Sequence, residues 1–287
     1  MSAANGLSNG NDNDNGAARS ALRRCATHVI DALAVLARPA RLHSHGAWPV
    51  APRQLAIVAG AGLLIFLLMM VLIDAAAIRG VRHLPEWIVG AFDQITDFGK
   101  SGWFLWPLGI LFLALASLPA LPRIKQLVVD ALMVRVGYLF LAIAVPGIVV
   151  NIVKHIFGRA RPMVGGILDP YLFRPFTWPA DYASLPSGHA ATAFSVLVAF
   201  GMLWPRARTV LWIYALLILV SRVVVTAHYP SDVLTGAAVG VVGVLLVRRW
   251  FALRGLGFSI GQDGILHQKP GPSLARIKAV ARALLSQ

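Results

Sequence analysis

Long uncharged runs alternate with short polar stretches along this chain. Leu55–Ile73 and Gly102–Leu121 are uncharged over 19 and 20 residues, each enough for a helix across a hydrocarbon core about 30 Å thick. Val136–Val153 is a third run, interrupted only by Pro146 and Asn151, and Thr209–Ala227 a fourth, with Arg222 inside it. Ala190–Trp204 and Val233–Val247 have 15 residues each. Polar residues in "LPSGH" and "YPSD" precede these two runs and start the same helices. The pattern predicts six spans and an all-α fold, a polytopic six-transmembrane-helix bundle. Trp103, Trp106, Trp204 and Trp250 fall near span ends, where amphipathic rings anchor a helix in the interface. No internal repeat and no second folded domain is visible.

Composition agrees with a membrane protein. The chain is 57% hydrophobic and 13% charged, whereas soluble domains carry roughly a quarter charged residues. With six spans, 18 of the 26 lysines and arginines fall on the side that holds both termini. The positive-inside bias therefore predicts cytoplasmic termini and a polar face on the extracytoplasmic, periplasmic side of a bacterial inner membrane. The net charge of +14 does not point to nucleic acid, because the cations flank spans instead of forming one patch. Cys25 is the single cysteine, so there is no disulfide framework. The first 18 residues are polar and lack the pattern of a cleavable signal peptide. Residues 1–18, rich in Asn, Gly and Asp, have nothing to bury and are expected to be disordered. Residues 19–53 are a basic, amphipathic cytoplasmic segment, 54–250 the six-helix membrane domain, and 251–287 a basic tail. That tail has Leu274, Ile277, Ala281 and Leu284 at helical spacing, a helix expected to rest on anionic lipid.

Polar residues gather at span ends on the predicted outer side. "KHIFGRARP" leaves the third span, and its Lys154 and Arg161 are seven apart, a spacing that puts two helical positions on one face. "SLPSGHA" enters the fourth span, where Pro186 and Ser187 look like a helix start and the Gly188 and His189 amides point outward as an anion site. "SRVVVTAHYPSD" leaves the fifth span and enters the sixth with Ser221, Arg222, His228 and Asp232. Taken singly, a cation at a span end is a snorkelling anchor, and His155, Arg159, Arg79 and Arg82 keep that reading. Arg222, an intramembrane charge, is a functional candidate by default. Together Lys154, Arg161 and Arg222, beside backbone donors, suit a phosphate. Phosphoryl transfer needs such a cradle, a nucleophile in line and an acid for the leaving oxygen. Two histidines fill the last two roles, and Asp232 is placed to hold one imidazole in a fixed tautomer.

The three parts in this order, Lys154…Arg161-Pro162, Pro186-Ser187-Gly188-His189 and Ser221-Arg222…His228…Asp232, resemble the signature of the type-2 phosphatidic acid phosphatase family. The motifs cover Lys154 to Asp232 with no departure at a motif position, and the six-helix plan extends the likeness over roughly Leu55 to Val247. The resemblance implies an α-helical bundle with its site at one membrane face. It implies His228 as a nucleophile forming a phosphohistidine, Asp232 orienting it, and His189 as the acid for the leaving oxygen. It gives Lys154, Arg161, Arg222, Ser187 and Gly188 the phosphate, and it implies no metal and no cofactor.

Other readings share these residues. A lipid phosphotransferase would pass phosphate from His228 to a lipid hydroxyl. Vanadium-dependent haloperoxidases have the same pocket, but those proteins are soluble and this chain has spans. A transporter would place charges at midplane depth on several helices, and a non-catalytic lipid-binding protein would have no need of both histidines and Asp232. The expected partners are a lipid phosphate and the surrounding membrane lipids. Candidate substrates are phosphatidic acid, phosphatidylglycerol phosphate, undecaprenyl pyrophosphate, sphingoid phosphates and the phosphates of lipid A. The stretch "ITDFGKSGW", Ile95–Trp103, resembles a segment of bacterial relatives and receives no chemical role.

Overall fold

The computed structural model describes residues 8–37, 39, 51–119, 121–261 and 264–286. Of the calls above, residues 1–7 of the expected disordered tail and 38 and 40–50 of the basic segment, with Arg38 and Arg41, lie outside the described residues. In chain order the helices are α1 (Ser8–Ala37), α2 (Pro52–Leu72), α3 (Asp74–Val81), α4 (Glu86–Asp97), α5 (Gly102–Ala116) and α6 (Arg123–Phe157). They continue with α7 (Gly188–Leu203), α8 (Arg208–Val224), α9 (Pro230–Leu253) and α10 (Leu274–Leu285). Five helical segments are long and apolar enough to cross a membrane: Pro52–Leu72, Glu86–Ala116, Arg123–Phe157, Pro205–Val224 and Pro230–Leu253. The count of six is not reached on length. At 1.5 Å per residue, the 16-residue α7 is only about 24 Å long. It is apolar yet short because it lies inside the bundle, packed by α6, α8 and α9, with eleven of its sixteen residues buried. By contrast α2 has no buried residue, and most of its apolar side chains are exposed, as a lipid-facing helix requires.

Two glycines fix how the site's helices end and cross. Gly158 ends α6 in the left-handed region at φ +58°, with its N–H on the Lys154 carbonyl at 2.9 Å, a helix terminator that glycine adopts without strain. A Cβ there would also lie 1.7 Å from the Arg174 carbonyl oxygen. Gly236 lets α9 run against the start of α7, where a Cβ would lie 2.3 Å from Ser187 O. Small residues allow such backbone contact between membrane helices. Gly236→Ala is therefore expected to lower stability by about 1–3 kcal/mol, the usual cost of overpacking, with activity falling as Ser187 is displaced. Thermal unfolding in detergent checks this, and an unchanged midpoint would contradict the close crossing.

The flanks depart from expectation in three places. The α1 helix runs back to Ser8, through residues 8–18 that composition marks as disordered. Its later half is held by His28 Nδ1 on the Ala116 carbonyl at 2.6 Å and by Arg254 Nε on the Leu36 carbonyl at 2.5 Å. Once that half is held, each added residue gains a helical hydrogen bond without a new nucleus. The tail helix α10 docks on protein as well as presenting cations: Val280 is buried against Val128 and Val129 of α6, flanked by Ile277 and Leu284. Before it, β1 (Phe258–Ile260) and β2 (Leu266–Gln268) form a small antiparallel hairpin, an addition to the all-α plan. Phe258 anchors it edge-on against Tyr138 at 4.8 Å.

Candidate active site

The C-terminal ends of α6 and α8 and the N-terminal ends of α7 and α9 meet at one end of the bundle, and every predicted site residue lies there. Lys154 sits in the last turn of α6, one turn before Gly158. A Cβ built on Gly188 would lie 3.9 Å from Lys154 Nζ, so the first motif's ammonium stands over the second motif's helix start. The Arg161 N–H is fixed on the Asp181 carbonyl at 2.7 Å, while its buried Nε has no partner among the described residues.

Ser187 is the N-cap of α7, with extended backbone at φ −71°, ψ 118°. Its own N–H is held by the Asp232 carbonyl at 3.0 Å, tying the second motif to the third. A serine here ordinarily caps the helix with its oxygen, but this side chain makes no cap bond, and its buried Oγ has no partner among the described residues. Arg222, in the last turn of α8, spends Nη1 on Thr96 Oγ1 at 2.5 Å and leaves a buried Nε without a partner. Three buried donors without a partner among the described residues, on Arg161, Ser187 and Arg222, thus stand at the same end of the bundle as Lys154 and the first amides of α7. Buried donors cost stability unless something accepts from them. The group that fits carries several oxygens and more than one negative charge.

His228 is buried at 2% exposure, and its Nδ1 lies 2.8 Å from the Ser184 carbonyl oxygen. A carbonyl can only accept, so Nδ1 carries the proton and Nε2 keeps its lone pair. Burial, then the charges of Arg222, Arg161 and Lys154, hold this imidazole's pKa well below 6.5. It is a tautomer-locked ring whose Nε2 has no partner among the described residues.

Asp232 does not grip this histidine directly. Its Oδ2 lies 4.0 Å from Nδ1, beyond hydrogen-bond reach. That oxygen is taken by Ser184 Oγ at 2.6 Å and Tyr229 N at 2.9 Å, and Oδ1 by Arg159 Nη1 at 2.6 Å. The orientation expected of Asp232 passes instead through Ser184, whose hydroxyl binds the carboxylate and whose carbonyl binds the imidazole. Asp232 is a positioning residue at one remove.

Arg159 corrects the sequence reading most. It is not a snorkelling anchor. It is wholly buried, reaching Asp232 Oδ1 at 2.6 Å, Ser231 Oγ at 2.7 Å, Asp74 Oδ2 at 2.8 Å and the Pro170 carbonyl at 3.0 and 2.9 Å. Asp74, buried at the start of α3, also accepts from the Ser231 N–H at 3.0 Å and from its hydroxyl at 2.5 Å. Asp74 and Ser184 belong to no motif. The available signal for Asp74 was an acid placed directly after an uncharged span.

The sequence profile of the PAP2 superfamily matches residues 135–256, the stretch that holds Lys154 through Asp232. The chain is 34% identical over 200 residues to the lipid A 1-phosphatase of Rhizobium johnstonii, covering 69% of this chain and 81% of that protein. The chain belongs to the PAP2 superfamily. A second PAP2 relative, the lipid A 1-phosphatase of Rhizobium etli, is 34% identical over 199 residues, 69% of this chain and 85% of that one. Among solved structures, LpxE of Aquifex aeolicus aligns with a TM-score of 0.45 at 24% identity, over 61% of this chain and 93% of that one. A transmembrane PAP2-type phosphatidylglycerolphosphate phosphatase of Bacillus subtilis aligns at 0.43 and 19%, over 66% and 92%. Asp74 and Thr96 lie before the matched stretch begins, so two of the contacts behind the site come from outside it.

Proposed function

We propose that this integral membrane protein, a lipid phosphatase, removes the 1-phosphate of lipid A through a phosphohistidine on His228, at the periplasmic face. The observation that carries the mechanism is the Nδ1 contact with the Ser184 carbonyl, which leaves Nε2 as the nucleophile. In the first step Nε2 attacks phosphorus, the bond from phosphorus to the lipid oxygen breaks, and His189 gives its proton to that oxygen. Bound phosphate charge beside His189 favours the protonated imidazole this requires. In the second step water attacks the phosphohistidine and loses its proton to His189. The P–N bond breaks, inorganic phosphate leaves, and both histidines return to their starting states. Lys154, Arg161, Arg222, Ser187 Oγ and the Gly188 amide hold the equatorial oxygens throughout, preorganised where charge develops.

The substrate reading is supported by the two rhizobial relatives. The orientation is supported by the helix directions. Arg53, Arg123, Arg206 and Arg249 stand at or near the ends of α2, α6, α8 and α9 that lie opposite the site, where the positive-inside bias puts the cytoplasm. Metal independence belongs to the proposal too, since three cations supply the charge neutralisation that a metal would otherwise provide.

Purified protein in detergent is offered lipid A, phosphatidic acid, phosphatidylglycerol phosphate and undecaprenyl pyrophosphate, with released phosphate and any phospholipid product both measured. Fastest release from lipid A at the 1-position, unaffected by EDTA, is expected. A phosphorylated lipid in place of free phosphate would establish a transferase, and loss of activity with chelator would overturn the metal-free mechanism.

A further inference from the structure

The turn Thr96–Lys100, which carries the end of α4 toward α5, lies outside the three motifs, yet it stands against two of the site's working groups. Thr96 is buried, and its Oγ1 accepts from Arg222 Nη1 at 2.5 Å across 126 positions of sequence. Gly99 is buried as well. A Cβ on it would lie 2.9 Å from His189 Cδ2 and 2.8 Å from Ile218 Cγ2, distances that real side chains do not hold. The turn is itself fastened. Tyr214 Oη of α8 donates to the Phe98 carbonyl at 3.0 Å, Trp103 Nε1 donates to the Asp97 carbonyl at 3.1 Å, and Lys100 pairs with Asp97 at 2.7 Å.

We infer that this turn is a fourth wall of the phosphate site, with Thr96 a positioning residue for Arg222 and Gly99 a positioning residue for His189. The inference rests on reading Arg222 as a phosphate cation and His189 as the acid for the leaving oxygen. A guanidinium is a planar fork whose value to a phosphate depends on its angle. Thr96 takes Nη1 and so stops rotation about the Arg222 side-chain end. The buried Nε, without a partner among the described residues, is left on the edge an anion can use. The absent Cβ of Gly99 lets the His189 ring lie directly on the turn's backbone. A methyl there must push the ring or Ile218 aside, and proton delivery depends on sub-ångström placement. Polar hold on a cation and steric room for a ring are separate devices on one short turn.

The test compares wild type, Thr96→Val, Thr96→Ser and Gly99→Ala as full-length detergent-purified protein, each first shown to elute monodisperse. The probe for Arg222 is inhibition by inorganic vanadate, a phosphate mimic. Thr96→Val is expected to weaken vanadate inhibition about tenfold, the scale of one lost hydrogen bond to a charged group, and to raise KM more than it lowers kcat. Thr96→Ser, which keeps the hydroxyl, is expected to restore wild-type inhibition. Equal vanadate inhibition of wild type and Thr96→Val would overturn the Thr96 assignment, as would a Thr96→Ser protein as weak as Thr96→Val, since the lost methyl would then be responsible.

For Gly99→Ala, hydrolysis of an alkyl lipid phosphate is expected to fall about tenfold more than hydrolysis of an aryl phosphate, whose leaving oxygen needs little help from an acid. Equal losses would overturn the Gly99 assignment. If Gly99→Ala does not fold, the Thr96 pair alone decides the inference. A wild-type protein indifferent to millimolar vanadate would contradict the phosphate site itself, which is a different failure from a silent Thr96→Val.

Discussion

Arg159→Met is expected to destabilise the protein by about 3–5 kcal/mol, the cost of leaving buried charge without its partner. The side chain is fully buried between two carboxylates that are buried as fully, Asp74 and Asp232. Methionine fills similar volume but leaves both acids facing apolar surroundings, where each must protonate or admit water. Arg159→Lys keeps the charge, but one ammonium cannot span Asp74, Asp232, Ser231 and the Pro170 carbonyl, so an intermediate loss is expected. Adding Asp74→Asn to Arg159→Met removes one orphaned charge, and the double variant is expected to recover part of the stability, a coupling that separates charge from packing. Thermal unfolding in one detergent measures all four proteins. A wild-type midpoint for Arg159→Met would show that the triad carries no stability.

Activity is expected to fall with the same substitutions even at temperatures where the variants stay folded. Asp232 holds the Ser184 hydroxyl, and the Ser184 carbonyl holds His228. Arg159 therefore reaches Nδ1 of His228 through two intermediaries, and Asp74 ties the start of α3, just after the lipid-facing α2, to the same chain of contacts.

The side chains of the candidate site stood out in the sequence, whereas the contacts that hold them did not. Lys154, Arg161, Ser187, His189, Arg222, His228 and Asp232 stood out because they are polar residues at or inside the borders of apolar runs, where a structural reason is lacking, and Gly188 stood out through its place in Pro-Ser-Gly-His. The structure gathers all of them at one end of the bundle. Arg159 was misread because it shares that position with ordinary anchors; only the approach of Asp74, 85 positions away, distinguishes a buried ion pair from a snorkelling cation. Ser184 was passed over because half of its part is played by a backbone carbonyl, which carries no side-chain signature. Thr96 and Gly99 were noticed as a stretch but had no partner in sequence to give them a role. The sixth expected span, α7, is apolar but shorter than the five long helical segments, and hydropathy registers an apolar helix without registering whether lipid or protein surrounds it.

His228→Ala is expected to reduce turnover by about 10⁴-fold or more, the scale seen when the residue that forms a covalent intermediate is removed. The cradle of Lys154, Arg161, Arg222 and the α7 amides remains in that variant, so vanadate and substrate are still expected to bind while the chemistry stops. The His228 side chain is also buried and, among the described residues, is hydrogen-bonded through Nδ1 to Ser184, so the folded protein should survive the change. A turnover loss accompanied by unfolding would leave the fall unexplained by chemistry, and the thermal midpoint is measured alongside.

The central claim is that phosphate passes through a covalent bond to His228 Nε2. Rapid quench into alkaline detergent of the enzyme with lipid carrying a labelled phosphate, followed by peptide mapping at alkaline pH, tests it directly. The account predicts an acid-labile, base-stable phosphoryl group on the peptide containing His228, formed and lost at the rate of turnover and missing from His228→Ala. Label accumulating on another residue, or persisting in His228→Ala, would contradict it.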